Sequence, residues 1–329
     1  MLGQAVLRGR PLRYRKLLRR ALVTAAVPGL FVADITSASA TYPGQNGDIA
    51  YVSLSGSHLA VRAIDPSDMS DHKLSIGDTA AADAEYVADG SAAVIVEYPG
   101  RRSRIVRLDL ATSTRTVVLP ASEAPSGPIF SIGVSPDDAA IVFCTLQRSG
   151  WRLFTVGMDG SDLNRISDGT DDCHADWGVN GRIVATEQLD SGAQRIFSML
   201  PDGSDRQTVI SFPASGRWRT VYYLVPSWSP DASQIVFGGQ RNNRNSEVWL
   251  IDQDGTNLSN LTATRRRDEY GPLFSPDGSL VAFTRSRRSR RGFPRGDLWT
   301  MDATGGSEVR LTETSRRDEY SRSWQALVP

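Results

Sequence analysis

Lysine is almost missing from this sequence. Lys16 and Lys73 are the only two, so 35 of the 37 basic residues are arginine. Positive charge therefore rests on a planar, permanently charged fork that suits carboxylates and phosphates. Histidine is nearly as scarce: His58, His72 and His174 are scattered, and none has a partner at metal-ligand spacing. No G-x-S-x-G is present, which removes the nucleophile elbow of serine hydrolases. A phosphate-binding Walker loop and a dinucleotide fingerprint are also missing, and no organic cofactor is expected. Long apolar runs are missing too. The best candidate, Ala21 to Ala33, is too short for an ordinary membrane span of about 20 residues.

That short apolar run belongs to a leader. Arg8, Arg10, Arg13, Arg15, Lys16, Arg19 and Arg20 precede it without an acid, and Ala38-Ser39-Ala40 follows. A charged segment, a short apolar segment and small residues at a cleavage point are the order of a secretory signal. Residues 1–40 are therefore expected to be removed, which leaves 41–329 exported to the periplasm, the cell envelope or the exterior. Arg19-Arg20-Ala21-Leu22-Val23 is similar to a twin-arginine export signal; the twin-arginine and general secretory routes both stay open, and a retained anchor is the alternative to cleavage. Without seven basic residues and Asp34, the mature chain has 30 basic against 36 acidic residues, a net charge of −6. Specific nucleic-acid binding is not expected from that balance. No transmembrane span is expected in 41–329, and the chain is expected to be a monomer. Only two cysteines occur, Cys144 and Cys173. In an exported protein they can pair as a disulfide or remain two isolated thiols.

What is abundant is a repeated turn. In FSPDGSLVAF, residues 274–283, Pro276 presets φ, Asp277 can bond its own backbone two residues on, and Gly278 accepts a positive φ. The flanking residues alternate as in a strand buried on one face. Related turns recur at 43–47, 88–91, 135–138, 178–181 and 229–233, each followed by an apolar strand. A second turn, as in MDGSD (158–162) and IDQDGTN (251–257), recurs about twenty residues later. Six copies of each turn at a period of about 48 give four strands per repeat, the size of a propeller blade. Ser323-Trp324 begins a seventh copy, whereas the first copy lacks the strand that should precede its turn. The expectation is an all-β, six-bladed propeller of four-stranded blades, closed by pairing its two terminal strands so that no sheet edge stays free.

The phrases SWSPD…IVF…EVWLIDQDGTNLSNLT and LFSPDGSLVAF…DLWTMDATGGSEVRLT resemble TolB-type propeller repeats. The resemblance spans essentially 42–329 and is densest in the last two repeats. It implies a secreted bacterial propeller. TolB itself carries an α/β domain before its propeller, and 41–329 has no room for one. Its envelope role and lipoprotein partner are therefore not carried over.

Function is expected on the face that carries the loops between second and third strands and the crossovers between blades. These include YPGRRSR (98–104), GQRNNRN (239–245), RSRRSRRGFPRG (285–296), TRRRDEY (264–270) and TSRRDEY (314–320). Arg285, Arg287, Arg288, Arg290 and Arg291, with Arg241 and Arg244, are the candidate ligands for an anionic partner such as an envelope polymer or an acidic protein. The bland alternative is a solvated, arginine-rich loop set. Trp151 and Trp218 fall outside the repeat pattern and are candidate surface contacts. Trp177, Trp228, Trp249, Trp299 and Trp324 keep the repeat spacing and are expected in the core. Asp171, Asp172, Asp268 and Asp318 recur at the crossovers; a hard-cation site such as calcium is one reading and blade-to-blade hydrogen bonding the other. His174, beside Asp172, Cys173 and Asp176, forms a further small cluster. The functional expectation is an exported, non-catalytic binding or scaffold protein of the cell envelope. The alternative is a propeller enzyme, a glycan lyase or hydrolase, with its active site at the channel mouth.

Overall fold

The computed structural model describes residues 41–328 except 57, 168–170, 215–223, 241–244, 288–295 and 315–316, and the side chain of Arg287. The leader 1–40, Trp218, Arg241, Arg244, Arg288, Arg290 and Arg291 lie outside the described residues. The rest forms six four-stranded antiparallel sheets.

In the first blade, β1 (Gln45–Ser55), β2 (His58–Ile64) and β3 (Asp71–Lys73) are joined by the chain's last strand, β24 (Asp318–Leu327), in the order β24-β1-β2-β3. The other five blades each use four consecutive strands. Their first strands are β4 (Ala80–Tyr86), β8 (Ile129–Val134), β12 (Asp171–Trp177), β16 (Ser227–Trp228) and β20 (Arg267–Phe274). Second strands are β5 (Ala92–Tyr98), β9 (Ala140–Gln147), β13 (Ile183–Gln188), β17 (Gln234–Gln240) and β21 (Leu280–Arg287). Third strands are β6 (Arg104–Asp109), β10 (Gly150–Gly157), β14 (Gln194–Met199), β18 (Ser246–Asp252) and β22 (Gly296–Asp302). First strands touch one another in ring order, and β24 takes the place of a first strand between β20 and β4. The closed six-bladed ring expected from the repeats is therefore present, and its terminal strands pair as the missing strand demanded.

The turn chemistry follows the sequence. The Ser275 hydroxyl donates to Asp277 Oδ1 (2.6 Å), as does the Ser279 N–H (2.9 Å), and Gly278 adopts φ 72°. The Ser135 and Ser229 turns repeat the first of these bonds at 2.6 Å. In the first of them the Ser135 hydroxyl and the Ala139 N–H hold the Asp137 carboxyl below its ordinary range. These aspartates are turn formers. Hydrophobic clusters fill the gaps between neighbouring blades: Ile49, Tyr51, Leu273, Leu298 and Trp324 form one, and Trp228, Phe237 and Trp249 belong to another. Trp177, Trp228, Trp249 and Trp324 are buried and Trp299 packs against a core cluster, as their spacing implied.

Side chains tie first strands to their neighbours at five of the ring's six junctions. Ser321 of β24 donates to the Gly271 carbonyl in the sixth blade (2.5 Å), and Ser323 donates to Glu85 in the second (2.9 Å). Asp83 accepts the Ile132 N–H of the third blade (3.2 Å). Ser131 donates to the Ala175 carbonyl of the fourth (3.4 Å), and Asp176 accepts the Trp228 N–H of the fifth (2.6 Å).

Candidate functional site

Second-to-third-strand loops and blade crossovers share one face, and the first strands point into it with buried acids. Asp172, Glu269 and Glu319 occupy one repeat position in β12, β20 and β24 and are fully buried. Asp172 accepts from both terminal nitrogens of Arg206, at 2.9 and 2.8 Å. Glu269 accepts from Arg285 Nε (2.9 Å) and from the Thr264 hydroxyl (3.0 Å). Glu319 accepts from the Thr312 and Thr314 hydroxyls. In the second blade Glu97 accepts from Arg104 (2.8 Å) and from Arg115. Asp172, Glu269 and Glu97 therefore meet arginines of their own blade, and Glu319 meets hydroxyls of the crossover that arrives from the sixth blade, as a buried charge must.

Two of the loop-face residues prove to be structural. Arg285, expected in an exposed loop, lies in β21, is 4% exposed, and forks Glu308 at 2.5 Å from each terminal nitrogen. It also stacks over Phe283 and Trp299, with its central carbon 5.1 and 4.8 Å from the ring centres. Strand β21 simply runs further than the loop boundary read from composition. Trp151, also expected in a loop, is in β10, half-buried, with its ring edge-on to Phe130 at 5.2 Å. Exposed arginines on this face among the described residues include Arg101, Arg102, Arg148, Arg265, Arg266 and Arg267, with Arg102 donating to the Ala121 carbonyl (3.2 Å).

The acids singled out for a cation sit at the starts of three separate first strands. Asp171 accepts the Trp151 N–H (2.6 Å) and Asp268 the Ser246 N–H (2.9 Å), while Asp318 opens β24 opposite Leu54. Among the described residues, no group of three or more His, Cys, Asp or Glu is arranged to hold a metal ion.

Cys144 of β9 and Cys173 of β12 are joined by a disulfide, with Cα atoms 5.2 Å apart, stitching the third blade to the fourth. Replacing both with alanine is expected to lower stability by about 2–4 kcal/mol. The check is a chemical-denaturation midpoint; an unchanged midpoint at unchanged circular dichroism would deny the bridge a stabilising role.

The most unusual chemistry lies on the axis. Arg322, in β24, is 1% exposed and faces Asp83 of the second blade, with Nε to Oδ1 at 3.4 Å. Tyr98, Tyr270 and Tyr320 also surround its charge. Across the ring, in the fourth blade, His174 sits at a β-bulge with φ 53°. Burial pushes its imidazole down to about 4, and the charge of Arg322 acts in the same direction. His174 is thus neutral at pH 7, with Nδ1 3.0 Å from the Thr186 hydroxyl. First and fourth blades are opposite in a ring of six, so both side chains reach toward the axis. Sequence reasoning had flagged His174 but missed Arg322 and Asp83. Superposing the repeats would have found Arg322, a charge two residues before the recurring aromatic, where the sixth and fourth blades have Pro272 and Ala175.

Comparison with known proteins agrees with this architecture. The sequence model of the TolB beta propeller domain matches residues 46–327. The Tol-Pal system protein TolB of Anaeromyxobacter dehalogenans is 27% identical over 107 residues, 32% of this chain and 22% of that protein. The chain spans between 22% and 55% of the length of the curated relatives it matches. In structure it is similar to TolB from Acinetobacter baumannii, with a TM-score of 0.69 and 18% identity, over 85% of this chain and 67% of that one. It is also similar to an oligogalacturonate lyase in complex with manganese, with a TM-score of 0.56 and 15% identity, over 84% and 78% of the two chains. At such identities the structural likenesses establish the fold alone.

Proposed function

The chain belongs to the TolB beta propeller domain family, and from that premise we propose that it is an exported binding or scaffold protein of the cell envelope. Its partner is an acidic protein or an anionic envelope polymer, met by the arginine-rich loop face. The observation that carries this reading is the local pairing of the buried acids. An active site at the channel mouth needs carboxylates that converge, whereas Asp172, Glu269 and Glu97 are each committed to arginines of their own blade. The loop arginines are left as the recognition chemistry, and their planar forks suit carboxylate and phosphate. The relatives named as Tol-Pal system proteins TolB support an envelope location for this chain as well.

The test replaces Arg287, Arg288, Arg290 and Arg291 with serine. The variant is expected to melt like the parent and to lose salt-sensitive binding to an anionic wall polymer. Retained, salt-sensitive binding would place the contact elsewhere. A second reading, a propeller enzyme acting at the channel mouth, draws on Arg322, Asp83 and His174 converging on the axis. Turnover of an acidic oligosaccharide that is lost in His174→Ala would favour it.

A further inference from the structure

The crossovers on either side of the sixth blade are near-copies of one another. LTATRRRDEY (261–270) leads into β20 and LTETSRRDEY (311–320) into β24. By composition each is close to neutral, with three arginines against two acids in the first and two against three in the second. The fold sorts these charges by depth. The acids turn inward: Asp268 accepts the Ser246 N–H (2.9 Å), and Glu269 and Glu319 are fully buried. The arginines stay outside: Arg265, Arg266 and Arg267 are exposed, and Arg317 is partly exposed. None of these four forms an ion pair with another described residue. The acids around them are already committed, Glu269 and Glu308 to Arg285, and Asp297 and Glu313 to Arg310.

Both crossovers are also held alike. The Thr264 hydroxyl lies 3.3 Å from the Arg267 carbonyl oxygen and 3.0 Å from Glu269. The Thr314 hydroxyl lies 3.5 Å from the Arg317 carbonyl oxygen and 3.2 Å from Glu319. The Thr262 and Thr312 hydroxyls each accept an N–H of a third strand, from Val248 and Leu298, at 2.9 Å. Three residues beyond Arg267 and Arg317, the Tyr270 and Tyr320 rings meet with their centres 5.8 Å apart. At about 3.3 Å per strand residue, both arginines emerge about 10 Å above that pair, on neighbouring strands. The crossovers 74–80, 119–128 and 166–171 carry no arginine, and 213–226 carries Arg217 and Arg219, which lie outside the described residues.

We propose that the two crossovers form a paired cradle for a linear polyanion, a polymer with a phosphate or carboxylate on every repeat. Two copies of one arginine presentation, a blade apart, fit a ligand that repeats itself; a folded acidic protein presents its acids without a fixed period. Each planar fork can grip such a group through two nitrogens, and two grips on one chain reinforce each other. The polymer lies across the loop edge of the sixth blade. The proposal rests on the arginine-face reading and narrows its partner to the polymer.

The test titrates the full chain, exported with its own leader, with long-chain polyphosphate and with polygalacturonate, each against its own trimer. At equal concentration of anionic groups, at least one long polymer is expected to bind on the order of a hundredfold more tightly than its trimer. One variant replaces Arg265, Arg266 and Arg267 with serine, a second is Arg317→Ser, and a third combines them. The first two are each expected to erase most of the length advantage, and the third to lose little more, because a single remaining grip gains nothing from length. Serine at Arg101 and Arg102 in the second blade should leave the advantage intact. All of these side chains are exposed or partly exposed, so each variant should melt like the parent. A parent that binds neither long polymer would overturn the polymer reading and the cradle with it. Three results would overturn the cradle and leave the arginine face standing: equal affinity for polymer and trimer, losses from the two crossovers that simply add, or binding that survives the crossover variants but not serine at 287, 288, 290 and 291.

Discussion

Deleting residues 321–329 is expected to unfold the whole ring, not one blade. Strand β24 is the innermost strand of the first blade and pairs with β1 from Gln45–Leu327 to Leu54–Asp318. It is also bonded to both neighbours, through Ser321 to the Gly271 carbonyl and through Ser323 to Glu85. Without it, β1 becomes a long open edge, Tyr51 and Ile49 lose their cover, and the sixth blade no longer touches a first strand beyond it. A single substitution isolates the packing share. Trp324 is fully buried among Ile49, Tyr51 and Leu273, and its indole donates to the Gly47 carbonyl (2.9 Å). Trp324→Ala is expected to cost about 3–5 kcal/mol, a large part of the roughly 5–15 kcal/mol that holds a typical native domain together. The turn that meets this strand is equally intolerant: a Cβ at Gly90 would come 2.1 Å from the Ala326 carbonyl oxygen. Thermal melting of the truncated and Trp324→Ala proteins checks both claims. A truncated chain that melts like the parent would mean that closure contributes nothing.

Architecture was legible because it is periodic. The SPDG and MDGSD turns need Pro, Asp and Gly at fixed places for backbone reasons, and a reason that recurs six times survives the noise of any one copy. The orphan Trp324 and the strandless first copy together announced the closure. Individual side chains were less legible, because a composition argument does not say where a strand ends. Arg285 belongs to a dense arginine run in the sequence, yet β21 extends through it and places it on Glu269 and Glu308. The same limit hid Arg322. Its role depends on Asp83, 239 positions away in sequence, and on a ring that brings the first and second blades together at the axis. The acids at 171, 172, 268 and 318 were visible as a repeat feature. Whether they would share a cation or each find a partner was a question of three-dimensional pairing, and Arg206 answers it for Asp172 from the residue just before β15 (Gln207–Phe212), the outer strand of its own blade.

Stability is expected to fall as pH rises from 5 to 8, opposite to the acid sensitivity of most proteins. Burial pushes the Asp176 carboxyl up to about 7, against the opposing Trp228 N–H and Ser227 hydroxyl. Burial likewise pushes Glu319 up to about 7 against the Thr312 and Thr314 hydroxyls, and it pushes Glu269, at the same repeat position in the sixth blade, up to about 7 even against Arg285 and the Thr264 hydroxyl. In the unfolded chain these carboxyls titrate near their ordinary value of about 4. Between about pH 4 and 7 the folded protein therefore holds protons that the unfolded chain has released. Stability from these groups is complete below their unfolded values and is lost as pH rises through 7. Each tenfold difference in proton affinity between the folded and unfolded chain is worth about 1.4 kcal/mol, so the loss across that window is on the order of several kcal/mol. The turn aspartates act in the other direction: the Ser161 and Ser204 hydroxyls hold Asp159 and Asp202 below their ordinary range, and what they contribute disappears only below about pH 4. The maximum should thus lie on the acid side of neutrality. Asp176→Asn and Glu319→Gln remove two of these titrating groups while keeping their shapes, and each should flatten the slope between pH 5 and 8 in denaturant melts. A parent protein whose stability is flat or rises over that window would mean that both carboxyls are ionised in the folded state. The two variants would then leave the slope untouched and cost stability at every pH.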